Sequence, residues 1–333
     1  MKIALQLPWD PAHLESFLAT ARAADEAGVD SVWINEGFGH DAFSGLAILA
    51  RETRRVLLGT SIVNVYSRTP GALAQHFATI DELSGGRVIV GLGASAQGVI
   101  ERFHGVPFAD PRRRLGETAD LVRAYWKKER FSYEGRVFRV DRALELGARP
   151  VQPAPPIFLA TMAPASVRVT AAKADGWLPT WIPNDRLGGE VEKLRAWAAE
   201  AGRDPSALLV RSPANAVIVT DPAELPALRR GQRETLAFFI ARNGDFYYRQ
   251  FERQGLAAEA KAIREAWATG GREQALAILP EGLEGRFGFI GDPDGCMEHL
   301  ARQEDLGVDI HLVSLGASAR RDMLRVLRTL AEG

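Results

Sequence analysis

Residues 57 to 98 spell LLGTSIVNVYSRTPGALAQHFATIDELSGGRVIVGLGASAQG, a complete strand, loop, helix, turn and strand. Leu57 to Val63 is apolar and β-branched, a composition suited to a strand buried on both faces. Thr69-Pro70 starts a helix, with Pro70 in the first turn, where its missing N–H is not needed. Leu73, Phe77, Ile80 and Leu83 give that helix one apolar stripe, and Ser84-Gly85-Gly86 ends it. Val88 to Leu92 is the second buried strand and runs into Gly91-Leu92-Gly93-Ala94-Ser95. Both strand ends open on one face. Their small residues let a flat ligand lie against backbone.

The same alternation extends along the chain. Ile3 to Leu7 and Ser31 to Asn35 read as earlier strands, each followed by a helix, Pro11 to Ala27 and Ala42 to Thr53. Asp10 is placed to cap the first of these helices and Gly28 to stop it. Beyond residue 98, Gln97 to Trp126 is helical with a break at His104 to Pro107, and Phe131 to Val140 reads as a hairpin. Ile157 to Thr161, Trp177 to Trp181, Leu208 to Thr220 and Ile310 to Leu315 supply strands five to eight, with Pro213 bending the seventh. Helices are predicted at Pro164 to Lys173, Asp185 to Ala201, Asp292-Pro293 to Asp305 and Ser318 to Ala331. Eight strands alternating with helices predict an α/β fold, a (β/α)8 TIM barrel, as one domain over residues 1–333. Two connections are too long for a crossover and read as insertions, at about 127–156 and 222–285. The alternative is a doubly wound open sheet. Against it, Gly91-Leu92-Gly93 lacks the third spaced glycine of a dinucleotide loop and follows strand four, not strand one.

Composition removes several functions. The net charge is −1, so there is no bulk electrostatic case for nucleic acid or an anionic membrane. One cysteine, Cys296, excludes an internal disulfide framework and a cysteine-based zinc site, which suits a reducing cytoplasm. No apolar run is long enough to span a bilayer, and the chain opens on the strand-like KIALQL, not on a signal-peptide pattern. No P-loop, HExxH motif or Ser-His-Asp order is present.

In a (β/α)8 barrel, function gathers at the carboxyl ends of the strands. That rule selects Gln6 and Trp9, Glu36 and His40, Ser61 and Asn64, Ala94 and Ser95, Thr161 and Met162, Trp181, Asn215 and Ser314. For each polar residue, ligand contact and local capping stand as alternatives. Glu36 and His40 are the acid–base candidates, and Trp9 and Trp181 are placed to wall a substrate pocket alongside Gln6. Thr161-Met162-Ala163 leads into a helix whose amino end suits a phosphate. Arg112-Arg113-Arg114 reads either as a solvated face or as a binder of carboxylates, and His104 as packing or catalysis.

The segments GTSIVNVYSRTP, IDELSGGR, VGLGAS, ERFHGVPF, PPIFLATMAP and KADGW together resemble the luciferase-like flavin and deazaflavin enzymes. The resemblance is greatest to the coenzyme F420-dependent oxidoreductases, the methylenetetrahydromethanopterin reductase-like branch. It implies a cis peptide at Ser61-Ile62 forming a bulge against the cofactor ring. It further implies a ring edge near Asn64, Gly93, Ala94 and Ser95, and a phosphate near Ala160, Thr161, Met162 and Ala163. The implied reaction is hydride transfer between C5 of the deazaflavin and a small organic substrate, with Glu36 or His40 relaying a proton and Arg112–Arg114 meeting a carboxylate-rich tail. Met162 departs from the small residue typical there, and Gly37 replaces the histidine of the family's sugar-phosphate dehydrogenases. Two rivals remain: an FMN-dependent monooxygenase needing a reductase partner and O2, and a non-catalytic cofactor-binding protein. A homodimer is compatible with the sequence.

Overall fold

The computed structural model describes residues 1–127 and 129–332. Lys128, inside the first expected insertion, and Gly333 lie outside the described residues. Eight strands form the barrel that the alternation predicts: β1 (Lys2–Leu7), β2 (Ser31–Ile34), β3 (Leu57–Thr60), β4 (Val88–Gly93), β5 (Ile157–Ala160), β6 (Gly176–Trp177), β7 (Leu209–Val210) and β8 (Ile310–Leu315). From β1 to β7 each strand pairs in parallel with the next, and β8 returns to β1. The ring closes between β7 and β8, where Arg211 bridges Ile310 and the Ser212 N–H donates to the Ile310 carbonyl at 2.8 Å.

Apolar residues fill both sides of the strands, as buried parallel sheets require. Trp33, Ile89, Phe158, Leu178 and Leu312 pack inside the barrel. A larger cluster, including Leu46, Phe77, Val90, Leu187 and Val313, joins the outer strand faces to the helices.

Two irregularities shape the carboxyl end. Past Thr60, β3 leaves its register: Gly59 pairs Ile89 but Val63 pairs Leu92, so four residues span what three span on β4. The extra residue forms a bulge containing the cis Ser61–Ile62 peptide. Thr60 Oγ1 both donates to the Gly91 carbonyl, at 2.8 Å, and accepts from the Gly91 N–H, at 2.9 Å. A Cβ on Gly91 would sit 1.7 Å from the Thr60 carbonyl oxygen, so only glycine fits beneath the bulge.

The second irregularity splits the long seventh strand. Arg211 pairs Ile310 and Ala216 pairs Val313, so five residues on one side span three on β8. Pro213 sits in this wide bulge, and Ser212 Oγ accepts the Leu312 N–H at 2.8 Å, satisfying a ladder donor the bulge would strand. A short strand, Ala216–Ile218, then pairs β8 again and carries Phe289–Gly291 on its other edge, outside the ring.

Between β4 and β5 lie the helices Gln97–Arg102 and Pro111–Trp126 and the hairpin Tyr133–Glu134/Arg139–Val140. Glu117 anchors the hairpin by accepting the N–H groups of Arg136, Val137 and Phe138. Between residues 222 and 285, the helices Leu225–Ala241, Asp245–Arg253 and Ala257–Ile278 share their own core of Leu236, Phe251, Ile263 and Phe287.

Local departures from the sequence reading have physical causes. Leu83 is 41% exposed, and the buried position on that turn belongs to Asp81, which accepts from the amides of Val88 and Gln152. The strand predicted over Trp177 to Trp181 ends after Trp177, and Trp181, with φ 53°, is outside any extended conformation. The last helix is two, Ala317–Arg321 and Met323–Glu332, parted at Asp322. Among the described residues no helix is long and apolar enough to cross a membrane.

Candidate active site

A cavity of about 960 Å³ opens at the carboxyl end of the barrel. Its floor takes Ser61 and Ile62 from the β3 bulge, Ala160 from the end of β5, Leu178 after β6, Arg211 after β7 and Leu312 from β8. Ile62 reaches this position because β4 presents Gly93: a Cβ there would come within 2.9 Å of the Ile62 side chain. Ser95, with φ 62°, turns the chain away from β4 and lines the same cavity.

The upper wall comes from the helix Leu225–Ala241. Leu228, Gly231, Gln232, Thr235, Phe238 and Phe239 recur at helical spacing and face the cavity together. Trp181 joins this wall to the barrel, with ring centroids 4.8 Å from Phe239, 5.4 Å from Phe251 and 5.9 Å from Phe287. The site is thus a mainly apolar chamber with polar groups at its floor and rim, the usual character of an organic ligand site.

Glu36 lies on the cavity wall, held by Arg68 through two hydrogen bonds of 2.6 and 3.0 Å. It also accepts the Ala42 N–H at 3.0 Å, at the start of the helix Ala42–Glu52. A carboxylate bound by three donors is fixed in place, which suits an anchor for the β2 loop better than a mobile proton relay. Arg68, which sequence reasoning missed, in turn stacks 4.9 Å over Phe43. Gln6 bridges the β1 and β2 ends, donating to the Trp33 carbonyl and to Asn35 Oδ1 at 3.0 and 3.1 Å.

Several predicted residues stand elsewhere. His40 is half exposed, 3.3 Å from Asp10, and with Trp9 and Ser314 lines an adjoining cleft of about 390 Å³ that shares Gln6, Asn35 and Gly37 with the large cavity. Glu36 lines the large cavity, and His40 lines the adjoining cleft instead. Trp9 does not wall the large cavity, because its indole N–H donates to the Asp41 carbonyl and its ring packs on Phe17 and over Gly45. Asn64 is buried and committed: its Oδ1 accepts the Tyr66 and Ser67 N–H groups, and its amide nitrogen lies 3.2 Å from His104 Nε2. The Asn64 side chain is therefore not directed at the cavity, and His104 is a packing partner.

Thr161 is also turned inward, its hydroxyl 2.8 Å from that of Thr170, and Met162 is buried beside it. Of the strand-five residues Ala160 alone lines the cavity. Ala163 leads the helix Pro164–Lys173 without any side-chain cap. Ala94 is partly buried and packs against the main core. The arginine run is not one solvated face: Arg113 pairs with Asp110, while Arg114 stacks 4.6 Å over Tyr66 and 4.9 Å over Phe138. Among the described residues no group of three His, Cys, Asp or Glu side chains is arranged to hold a metal.

Arg211 is the functional candidate that the sequence did not offer. It falls in the wide bulge after β7, and no periodicity marks where a bulge will re-aim a side chain.

The profile of the luciferase-like monooxygenase family matches residues 1–310 of the chain. The chain belongs to this family. It is 31% identical to a putative coenzyme F420-dependent oxidoreductase of Mycobacterium tuberculosis, over 97% of this chain and 98% of that protein. It is 27% identical to the 5,10-methylenetetrahydromethanopterin reductase of Methanolobus tindarius, over 86% of each chain. The solved structure of the coenzyme F420-dependent tetrahydromethanopterin reductase from Methanopyrus kandleri superposes with a TM-score of 0.81 at 23% identity, covering 99% of this chain and 97% of that one. That last likeness speaks to the fold.

Proposed function

We propose that this protein is an F420-dependent oxidoreductase acting on an organic substrate with a substantial apolar part. The observation that carries the reading is the seat made by Ile62 and Gly93. A bulge is pressed into the cavity floor, and β4 has no Cβ where one would displace it. Such a flat, small-residue seat beside Ser61, Ser95 and Ala160 fits a planar ring. When bound, F420 supplies a hydride donor or acceptor at C5.

The chain's own residues do the rest. Ser61, Ile62 and Ala160 would support the ring, and Ser95 stands beside them on the cavity wall. The uncapped amino end of the helix Pro164–Lys173 would meet the phosphodiester. Leu228, Phe238, Phe239 and Trp181 would close over the substrate and exclude water. Glu36, clamped by Arg68, would hold the β2 loop against the ring's edge.

The test is a pair of titrations at one fixed salt concentration, following tryptophan fluorescence. F420 should bind in the micromolar range or tighter, and FMN at least about tenfold more weakly, a difference of roughly 1.4 kcal/mol. Equal affinity for FMN, or no binding of F420, would move the protein to the monooxygenase side of its family.

A further inference from the structure

Two arginines are buried among the described residues, and they differ in what surrounds them. Arg87, just before β4, spends all five N–H groups: Nε on the Ser84 carbonyl, Nη1 on Thr53 Oγ1 and the Val56 carbonyl, Nη2 on the Ala50 and Thr53 carbonyls. Every one of these bonds is 2.8–3.0 Å long. It is a structural clamp.

Arg211 is 6% exposed and makes one side-chain hydrogen bond, from Nη1 to Ser61 Oγ at 2.8 Å. Its Nε is enclosed without a partner. Its guanidinium lies 4.9 Å over the Trp33 ring. No carboxylate of the described residues comes within the 4.0 Å of an ion pair. Burial, with no opposing charge, pulls its pKa down to about 9. An unpaired buried charge is costly, and an opposite charge brought beside it would offset that cost. The arginine lines the cavity floor beside the Ser61–Ile62 seat, where a bound ligand can reach it.

We propose that Arg211 is an anion receptor at the floor of the cavity, binding a negatively charged oxygen that the bound ligand brings. The guanidinium offers planar, paired donors that suit a carboxylate or an enolate-like carbonyl. Two ligands can supply that oxygen: a substrate with a carboxylate, or the cofactor ring once hydride uptake has left it negatively charged. The second source rests on the F420 reading above. The first does not.

Two arms separate the sources. In the first, the protein without cofactor is titrated with 4-phenylbutyrate and with 4-phenylbutanol, which share the apolar body and differ in charge, while tryptophan fluorescence is followed. A substrate-side receptor binds the carboxylate at least about tenfold more tightly than the alcohol. Arg211→Gln abolishes the difference, and Arg211→Lys keeps part of it. In the second arm, the affinities of oxidised and reduced F420 are compared. A ring-side receptor makes Arg211→Gln lose at least about tenfold for the reduced form relative to the oxidised form, a differential equivalent to roughly 30 mV in the two-electron potential of the bound cofactor.

The wild-type carboxylate-to-alcohol and reduced-to-oxidised ratios are readable even if Arg211→Gln does not fold. Ratios near one in both arms of the wild-type protein overturn the proposal. So do ratios unchanged in a folded Arg211→Gln, which would leave Arg211 a support for Ser61 and Trp33. Failure of F420 to bind at all overturns the cofactor reading and leaves the carboxylate arm to judge the receptor.

Discussion

Glu36 and His40 show how strand-end position and side-chain chemistry select more residues than one site can use. Both follow β2, but Glu36 is clamped by Arg68 on the cavity wall while His40 faces the adjoining cleft. His40→Ala is therefore expected to leave kcat/KM within about threefold, whereas loss of a general acid or base would cost roughly 10²-fold or more. Steady-state kinetics on the F420-linked reaction decides between them. Gly93→Ala should do the reverse. Its new Cβ would sit 2.9 Å from Ile62 and displace the seat, so F420 affinity should fall by about tenfold or more in titration while the thermal midpoint moves little. The candidates at residues 61, 62, 95 and 160 were legible because family motifs and strand ends coincide there, and Trp181 was chosen from its position after the sixth strand alone. Asn64 and Thr161 were misleading for the same reason: they stand at strand ends, but backbone N–H groups and a neighbouring hydroxyl consume their polar atoms. Arg211 was not legible, since its direction depends on a register change with no composition of its own.

At the level of elements, periodicity gave what packing alone decides. The helices Pro164–Lys173 and Pro293–Asp305 and the strand Ile310–Leu315 fall within a residue of the sequence reading, because Pro, Asp and β-branched runs mark their ends. What stayed hidden were the two bulges, which break strand periodicity, and the function of the Leu225–Ala241 helix. Its cavity-facing residues, Leu228, Gly231, Thr235 and Phe239, look like any amphipathic stripe until the barrel beneath supplies no core to bury them. Phe239→Ala should raise KM for an apolar substrate several-fold with F420 affinity unchanged, because it trims the upper wall and leaves the seat alone. Equal loss of both affinities would place this helix in the cofactor site.

The whole molecule should respond to acid through two buried histidines. Burial holds His299 and His311 at pKa values of about 4, and both ring nitrogens of His311 lack partners among the described residues. In the unfolded chain they titrate near 6.5, so between about pH 6.5 and 4 the unfolded state binds more protons. Stability is then complete above about pH 6.5 and falls as pH drops toward 4. Each histidine contributes on the order of 1–2 kcal/mol by pH 5. Urea melts of the wild type and of His311→Gln at pH 7 and 5 test this, since removing the titrating group should flatten the loss.

The central claim, a deazaflavin seated on the bulge of an apolar barrel-mouth cavity, is tested most directly by a crystal structure of the protein grown with F420. The account predicts ring density in van der Waals contact with Ile62 and Ser61, within about 4 Å. Ring density in the His40 cleft, or a cavity floor left free with F420 bound elsewhere, would contradict it.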